Sequence, residues 1–244
     1  MADRVDLEAL ADGYEHRPAS EAALSRPRRA AAEADLRRGD WAVDVGGGTG
    51  VHAAEWVRCG YQAVVVDPSR GMLRRAATRR GVIIVAGRAQ ALPFASETVG
   101  LVYFHLSIHY GDWEVAVDEA LRVLRPGGEC WVWTLGAEHR RDSFLTRWFP
   151  SVAFIDAARF PAPDALAERF AAGGGNVTRE REIEVRERPA GEWIEAVESG
   201  FVSTLQLLTP EELRAGVEEF EAIHPDRSTI VRYRLLFDVL RTRK

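Results

Sequence analysis

A doubly wound α/β fold, with a mostly parallel sheet covered by helices, is what this sequence predicts. Three observations lead there. Strand-like and helix-like segments alternate from residue 40 to residue 135. Two of the strands contain unbroken apolar runs, Ala63–Val66 and Val82–Val85, as strands buried on both faces do. One strand runs directly into a glycine-rich turn and a helix, at Val43–Gly50.

The elements follow in order. Residues 3–39 have helical spacing: Leu7, Leu10 and Tyr14 share one face, and Ala30, Ala34 and Arg37 another. Gly39-Asp40 breaks that pattern. Trp41–Gly46 reads as a strand, Gly50–Cys59 as a helix and Ala63–Asp67 as a strand. Ser69–Thr78 is a helix with Ser69 as its N-cap. Val82–Ala86 and Val99–Leu106 are strands. Asp112–Leu124 is a helix stopped by Arg125-Pro126-Gly127-Gly128, and Glu129–Leu135 is a fifth strand.

The rhythm changes after residue 136. Pro163–Ala172 is a helix that ends in three glycines. Asn176–Arg188 has β character, but Arg or Glu stands at nearly every other place, which suits a sheet edge. Gly191–Ser199 and Pro210–Ile223 are helical, and Thr229–Arg241 is a long final strand able to pair antiparallel with the charged one. We expect one domain over residues 1–244. It has a helical cap at 1–39, a core at 40–135, and a C-terminal part at 136–244 with a helical insertion near 189–225.

Composition removes several function classes. The chain has 244 residues and a formal net charge of -5, so no electrostatic footprint for nucleic acid is present. Its single lysine is the last residue, Lys244, and the other basic residues are arginines. No internal lysine exists for a Schiff base, a pyridoxal cofactor or a Walker-type phosphate loop. Cys59 and Cys130 make neither a disulfide framework nor a zinc cluster and read as buried core thiols. No apolar run approaches a membrane span, and the acidic, helical N-terminus is unlike a signal peptide. A cytoplasmic protein acting on a small molecule, with no membrane partner, is the expectation. The sequence leaves the oligomeric state open.

The densest chemical signal is Val43-Asp44-Val45-Gly46-Gly47-Gly48-Thr49-Gly50. Glycines there let a ligand lie against bare backbone, and the following helix turns its amides toward it. The pattern is G-x-G-x-G. Val51 stands where the dinucleotide fingerprint has its third glycine, which argues against a nicotinamide cofactor. Asp67 ends the next strand, where a carboxylate can accept hydrogen bonds from both hydroxyls of a ribose.

Together these segments resemble the class I S-adenosylmethionine-dependent methyltransferases, and within them the small-molecule branch related to the ubiquinone and menaquinone C-methyltransferases. VDVGGGTG, VVVDPSRGML, GRAQALPF, and LVYFHLSIHY with LRVLRPGGECWVWT match four ordered motifs, covering about residues 40–135. Two departures stand out. Arg88 replaces the acid of the third motif, and Val99-Gly100 replaces the usual Phe-Asp. The resemblance implies a Rossmann-like seven-stranded sheet with an antiparallel last strand, and S-adenosylmethionine as cofactor. It implies that Asp44, Gly46, Gly47 and Gly48 hold the methionine part. Asp67 and Pro68 then serve the ribose, and Met72, Ala89 and Gln90 the adenine. Tyr14 would close over the cofactor, and His105 would touch its methionine part. His109 and His105 are the candidate bases, since a histidine suits proton abstraction near neutrality. Methyl transfer to a small-molecule acceptor is the implied reaction. A non-methylating use of the same cofactor, or a non-catalytic binding module, remains open on the sequence.

Overall fold

The computed structural model describes residues 5–13 and 20–244. The strands are β1 (Trp41–Val45), β2 (Gln62–Asp67), β3 (Val82–Ala86), β4 (Val99–His105), β5 (Leu124–Thr134), β6 (Asn176–Pro189) and β7 (Ile230–Arg243). They form one seven-stranded sheet in the order β3-β2-β1-β4-β5-β7-β6. The first five run parallel, and β7 is antiparallel to β5. This is the doubly wound, mostly parallel architecture read from the sequence.

The early helices are α1 (Leu7–Gly13), α2 (Glu21–Glu33), α3 (Val51–Arg58), α4 (Arg70–Ala76) and α5 (Trp113–Val123). The later ones are α6 (Ala137–Asp142), α7 (Phe144–Trp148), α8 (Ser151–Arg159), α9 (Pro163–Ala172), α10 (Ala190–Glu198) and α11 (Pro210–Ile223). Their starts are written in the sequence. Side-chain oxygens of Ser20, Ser69, Asp112 and Thr209 each accept a first-turn amide of the helix that follows.

By internal contacts the chain divides into two units. The sheet unit holds Ala19–Leu135, Phe160–Arg181 and Asp238–Lys244. In it, alternation along the strands sends Val43, Val45, Val102, Phe104 and Val132 to one face, where Val117 of α5 and Leu166 and Phe170 of α9 cover them. On the opposite face Trp56 of α3 meets Tyr103 edge-on at 5.3 Å, and Trp131 stacks on Trp133 at 5.4 Å. The helical unit holds Gly136–Arg159, Glu182–Phe237 and the described part of the N-terminal segment. Its core gathers Trp148, Phe149, Trp193, Leu205 and Phe220, so Trp193, Phe201, Leu205 and Leu208 are packing residues.

Four expectations are corrected. The Val82–Val85 run is not buried on both faces: β3 is an edge strand, and Ile83 and Ile84 are 46% and 38% exposed. Cys59 is exposed rather than buried, because it caps the end of α3 just before a positive-φ turn at Gly60. Arg37 lies outside α2, which ends at Glu33. Finally, β5 begins at Leu124, directly after α5, and carries Pro126-Gly127-Gly128 within it. Among the described residues, no helix is long and apolar enough to cross a membrane.

The seam between β5 and β7 rests on a buried carboxylate. Glu129 is 0% exposed and accepts from Arg241 Nε (2.8 Å), Arg243 Nη2 (2.6 Å) and Trp131 Nε1 (2.9 Å). Burial alone would raise its pKa, but the donated hydrogen bonds, led by Arg241, outweigh burial and hold the carboxyl below its ordinary range. Removing Arg241 leaves the buried charge with Arg243 and Trp131 only. Arg241→Ala should therefore lose about 3 kcal/mol of stability in urea denaturation. An unchanged midpoint would show that Arg243 alone suffices.

Candidate active site

Parallel pairing brings four strand ends to one edge of the sheet. Val45 lies opposite Val66, Asp67 opposite Ala86, and Asp44 opposite Tyr103, two residues before His105. The glycine turn closes over this edge. Gly46 has φ 68° and donates its amide to Val66 O at 2.7 Å. A Cβ there would sit 2.5 Å from Ser107 Cβ, and one on Gly47 would sit 2.6 Å from Asp44 Cγ. Only glycine lets the backbone pass so close, so the turn presents bare main chain.

Asp67 organises this turn. Its Oδ2 accepts from Gly48 N at 2.9 Å and its Oδ1 from Ser69 N at 2.8 Å. Ser69 in turn caps α4 through Met72 N, and the Met72 side chain is buried. Pro68 between them is exposed.

Behind the turn lies a buried polar cluster. Asp44 is 1% exposed and its Oδ2 makes no hydrogen bond; His52 Nδ1 lies 3.7 Å away. Burial, and then the charge of Asp67, pushes the Asp44 carboxyl up to about 8. Burial, and then the charge of Arg26, pushes His52 down to about 4. A salt bridge would move both the other way, so Asp44 and His52 face each other as neutral groups at neutral pH. The His52 ring meets Tyr103 at 5.4 Å and His105 at 4.7 Å, both edge-on. Arg26 is 1% exposed, and its Nη1 lies 3.3 Å from His105 Nε2. A guanidinium only donates, so this nitrogen of His105 accepts and the ring carries its proton on Nδ1.

The loop after β4 carries the remaining candidates. Ser107 Oγ donates to Val45 O, tying the loop to the end of β1. His109 is buried, stacked on Phe160 at 3.8 Å between ring centroids and tilted against Tyr110 at 4.2 Å. Gln90 spends its side-chain amide on Tyr110 O (3.1 Å) and Asp112 O (3.0 Å), so it braces this loop. Ala89 is half-buried against the core, and Arg88 is exposed. Trp113 opens α5 and packs on the core as well.

Asp44, Gly46, Gly47, Gly48, Asp67 and His105 thus converge on one edge. Tyr14 lies outside the described residues. Sequence reasoning missed Arg26 and His52. His52 follows the glycine turn closely enough to have been found by position. Arg26 sits among Arg28 and Arg29, and nothing local marks it as the buried one. Among the described residues, no group of three His, Cys, Asp or Glu is placed to hold a metal ion.

The opposed shifts of Asp44 and His52 give stability a defined pH dependence. Asp44, raised from 3.8, contributes stability that is lost as pH rises toward about 8. His52, depressed from 6.5, acts oppositely between about 4 and 6.5. The two cancel in the acid window. Between pH 6.5 and 8 only Asp44 acts, and folding stability should fall by up to about 1.4 kcal/mol per pH unit. Asp44→Asn should flatten that slope in denaturant titrations; a wild-type protein equally stable across the window would refute the buried neutral acid.

Comparison with known proteins fits this geometry. A family model described as a methyltransferase domain matches residues 43–132. A demethylmenaquinone methyltransferase of Corynebacterium efficiens is 31% identical over 167 residues, covering 64% of this chain and 70% of the relative. One from Thermobifida fusca is 35% identical over 139 residues, covering 52% and 55%. The chain thus spans about half the length of that relative. A solved structure of a candidate methyltransferase from an antibiotic biosynthesis pathway of Anabaena variabilis shares the fold. Its TM-score is 0.72 at 20% identity, covering 88% of this chain and 96% of that one. The chain belongs to the class I S-adenosylmethionine-dependent methyltransferases and resembles their quinone-methylating members.

Proposed function

We propose that this protein transfers the methyl group of S-adenosylmethionine to a small-molecule acceptor. One observation carries the reading: the buried Asp44 Oδ2 has no hydrogen-bond partner and stands beside a turn of bare backbone. A buried polar atom of this kind calls for a ligand donor. The ammonium of an amino-acid moiety supplies one. Asp44 with Gly46, Gly47 and Gly48 would hold the methionine part. Asp67 and Pro68 would meet the ribose, Met72 and Ala89 the adenine, and Tyr14 and His105 the sulfonium side. Gln90 supports the site through the loop it braces.

When bound, the cofactor supplies an electrophilic methyl group on a sulfonium. The chain's own work is to orient it, to exclude water and to manage protons. His105 directs its lone pair at Arg26, which suits a positioning role. His109 is the better candidate base for an acceptor hydroxyl. Its stacked setting with Phe160 favours a planar acceptor. The relatives named for demethylmenaquinone support the same class. The free thiols of Cys59 and Cys130 fit a reducing, cytoplasmic setting.

Two measurements test the reading. Near neutral pH, Asp44 holds a proton that an incoming ammonium should displace. S-adenosylhomocysteine titrated by calorimetry in buffers of different ionisation enthalpy should release about one proton. Asp44→Asn should abolish the release and weaken binding, and NAD should give no heat. Binding without proton release would remove the ammonium from Asp44. For the base, His109→Ala should leave cofactor affinity intact and lower turnover on a hydroxylated acceptor roughly 100- to 10,000-fold. Full activity in that variant would end the base assignment.

A further inference from the structure

The helical unit has a second feature that methyl transfer does not use. Between α6, α7 and β7 lies an open basin of about 300 Å³, the size of a small-ligand site. Arg141, Arg147, Arg232 and Arg234 line it. A gathering of four guanidiniums is unexpected in a chain of net charge -5. Among the described residues, two carboxylates lie within ion-pair distance of them. Arg141 forms a two-point pair with Asp142 (3.0 and 2.9 Å), and Arg232 lies 3.6 Å from Glu187. Among the described residues, Arg147 and Arg234 have no carboxylate within ion-pair distance.

The basin also has a firm wall. Phe144 stacks on Tyr233 with centroids 5.0 Å apart and planes 18° from parallel. Phe144 also makes edge-on contacts to Trp193 at 5.4 Å and Trp148 at 6.1 Å. The Arg147 guanidinium lies 4.9 Å from the Trp148 ring centroid, which holds it in place by cation–π attraction.

We propose that this basin binds the phosphate group of a small organic phosphate ester, with the planar apolar part of the ester against Phe144 and Tyr233. Several guanidiniums lining one basin match a phosphate better than a single carboxylate. A phosphate carries up to two charges and three acceptor oxygens. An incoming dianion would also relieve the mutual repulsion of the arginines. The inference rests on the helical unit alone, so it stands or falls separately from the cofactor reading.

The probes are phenyl phosphate, inorganic phosphate and benzoate, titrated into the full chain by calorimetry at fixed ionic strength. Phenyl phosphate should saturate at one per chain and bind at least about tenfold more tightly than either of the others, the equivalent of one added charge-assisted contact. Its affinity should fall as salt is raised. Both arginines to be changed are exposed, so Arg147→Gln with Arg234→Gln should fold normally and bind S-adenosylhomocysteine as the wild type does. The same variant should lose at least about tenfold in phenyl phosphate affinity. Equal binding of benzoate would overturn the phosphate assignment, and equal binding of inorganic phosphate would overturn the ester. Undiminished binding by the double variant, or no saturable binding by the wild type, would remove the site.

Discussion

The carboxylate of Asp67 is the constraint on which the site depends. It holds an amide from the turn after β1 and another from the turn after β2, at Gly48 and Ser69. Two flexible turns on adjacent strands thereby become one wall. Charge-assisted bonds of this kind are each worth more than a neutral one. The same negative charge has a second consequence, because it adds to burial in keeping Asp44 protonated. Asp67 thus sets both the shape of the glycine turn and the protonation state of its neighbour. A positively charged ligand group would reverse the second effect without disturbing the first.

The face of the sheet beneath the turn balances charge in an unusual way. Arg26 is its buried cation, with a guanidinium nitrogen 3.3 Å from His105 Nε2, and His52 is held neutral beside it. A neutral His52 beside the Arg26 guanidinium makes a polar floor that does not cancel Asp44. Had His52 been charged, Asp44 would ionise by pairing with it and the carboxyl would no longer be available to a ligand cation. The neutral His52 therefore matters as much as the acids for what the site can bind.

Much of the arrangement was legible because it is local. Asp44, the three glycines and Asp67 lie at strand ends that alternation and glycine spacing reveal, and Ser69, Asp112 and Thr209 mark helix starts by side-chain chemistry. The charges of β6 correctly announced an edge. What failed depended on partners far away in sequence. The apolar run of β3 looks the same at a sheet edge as at its centre, so Ile83 and Ile84 gave no warning of exposure. The helices α6 and α7 are only 6 and 5 residues long, too short for a helical period to stand out. Arg26 is distinguished from its neighbours only by how α2 packs on α3, a property of the fold.

The near absence of lysine sharpens the contrast between the units. In the sheet unit, arginines work as structural forks with carboxylate partners: Arg122 with Glu119 at 2.6 Å, Arg179 with Asp238 at 2.7 Å, and Arg241 and Arg243 with Glu129. Each of these pairs joins two elements or stiffens one, and each leaves little net charge. The basin of the helical unit follows a different logic. There, arginines from two helices and a strand line one basin, and two of the four have no carboxylate within ion-pair distance among the described residues. A residue type that makes neutral cross-links at those positions is left with excess charge in the basin. Packing does not require that excess, since the unit's core is built from Trp148, Phe149, Trp193 and Phe220. Charge that the fold does not need, held on a rigid aromatic wall, is the physical signature of a surface arranged for an anion.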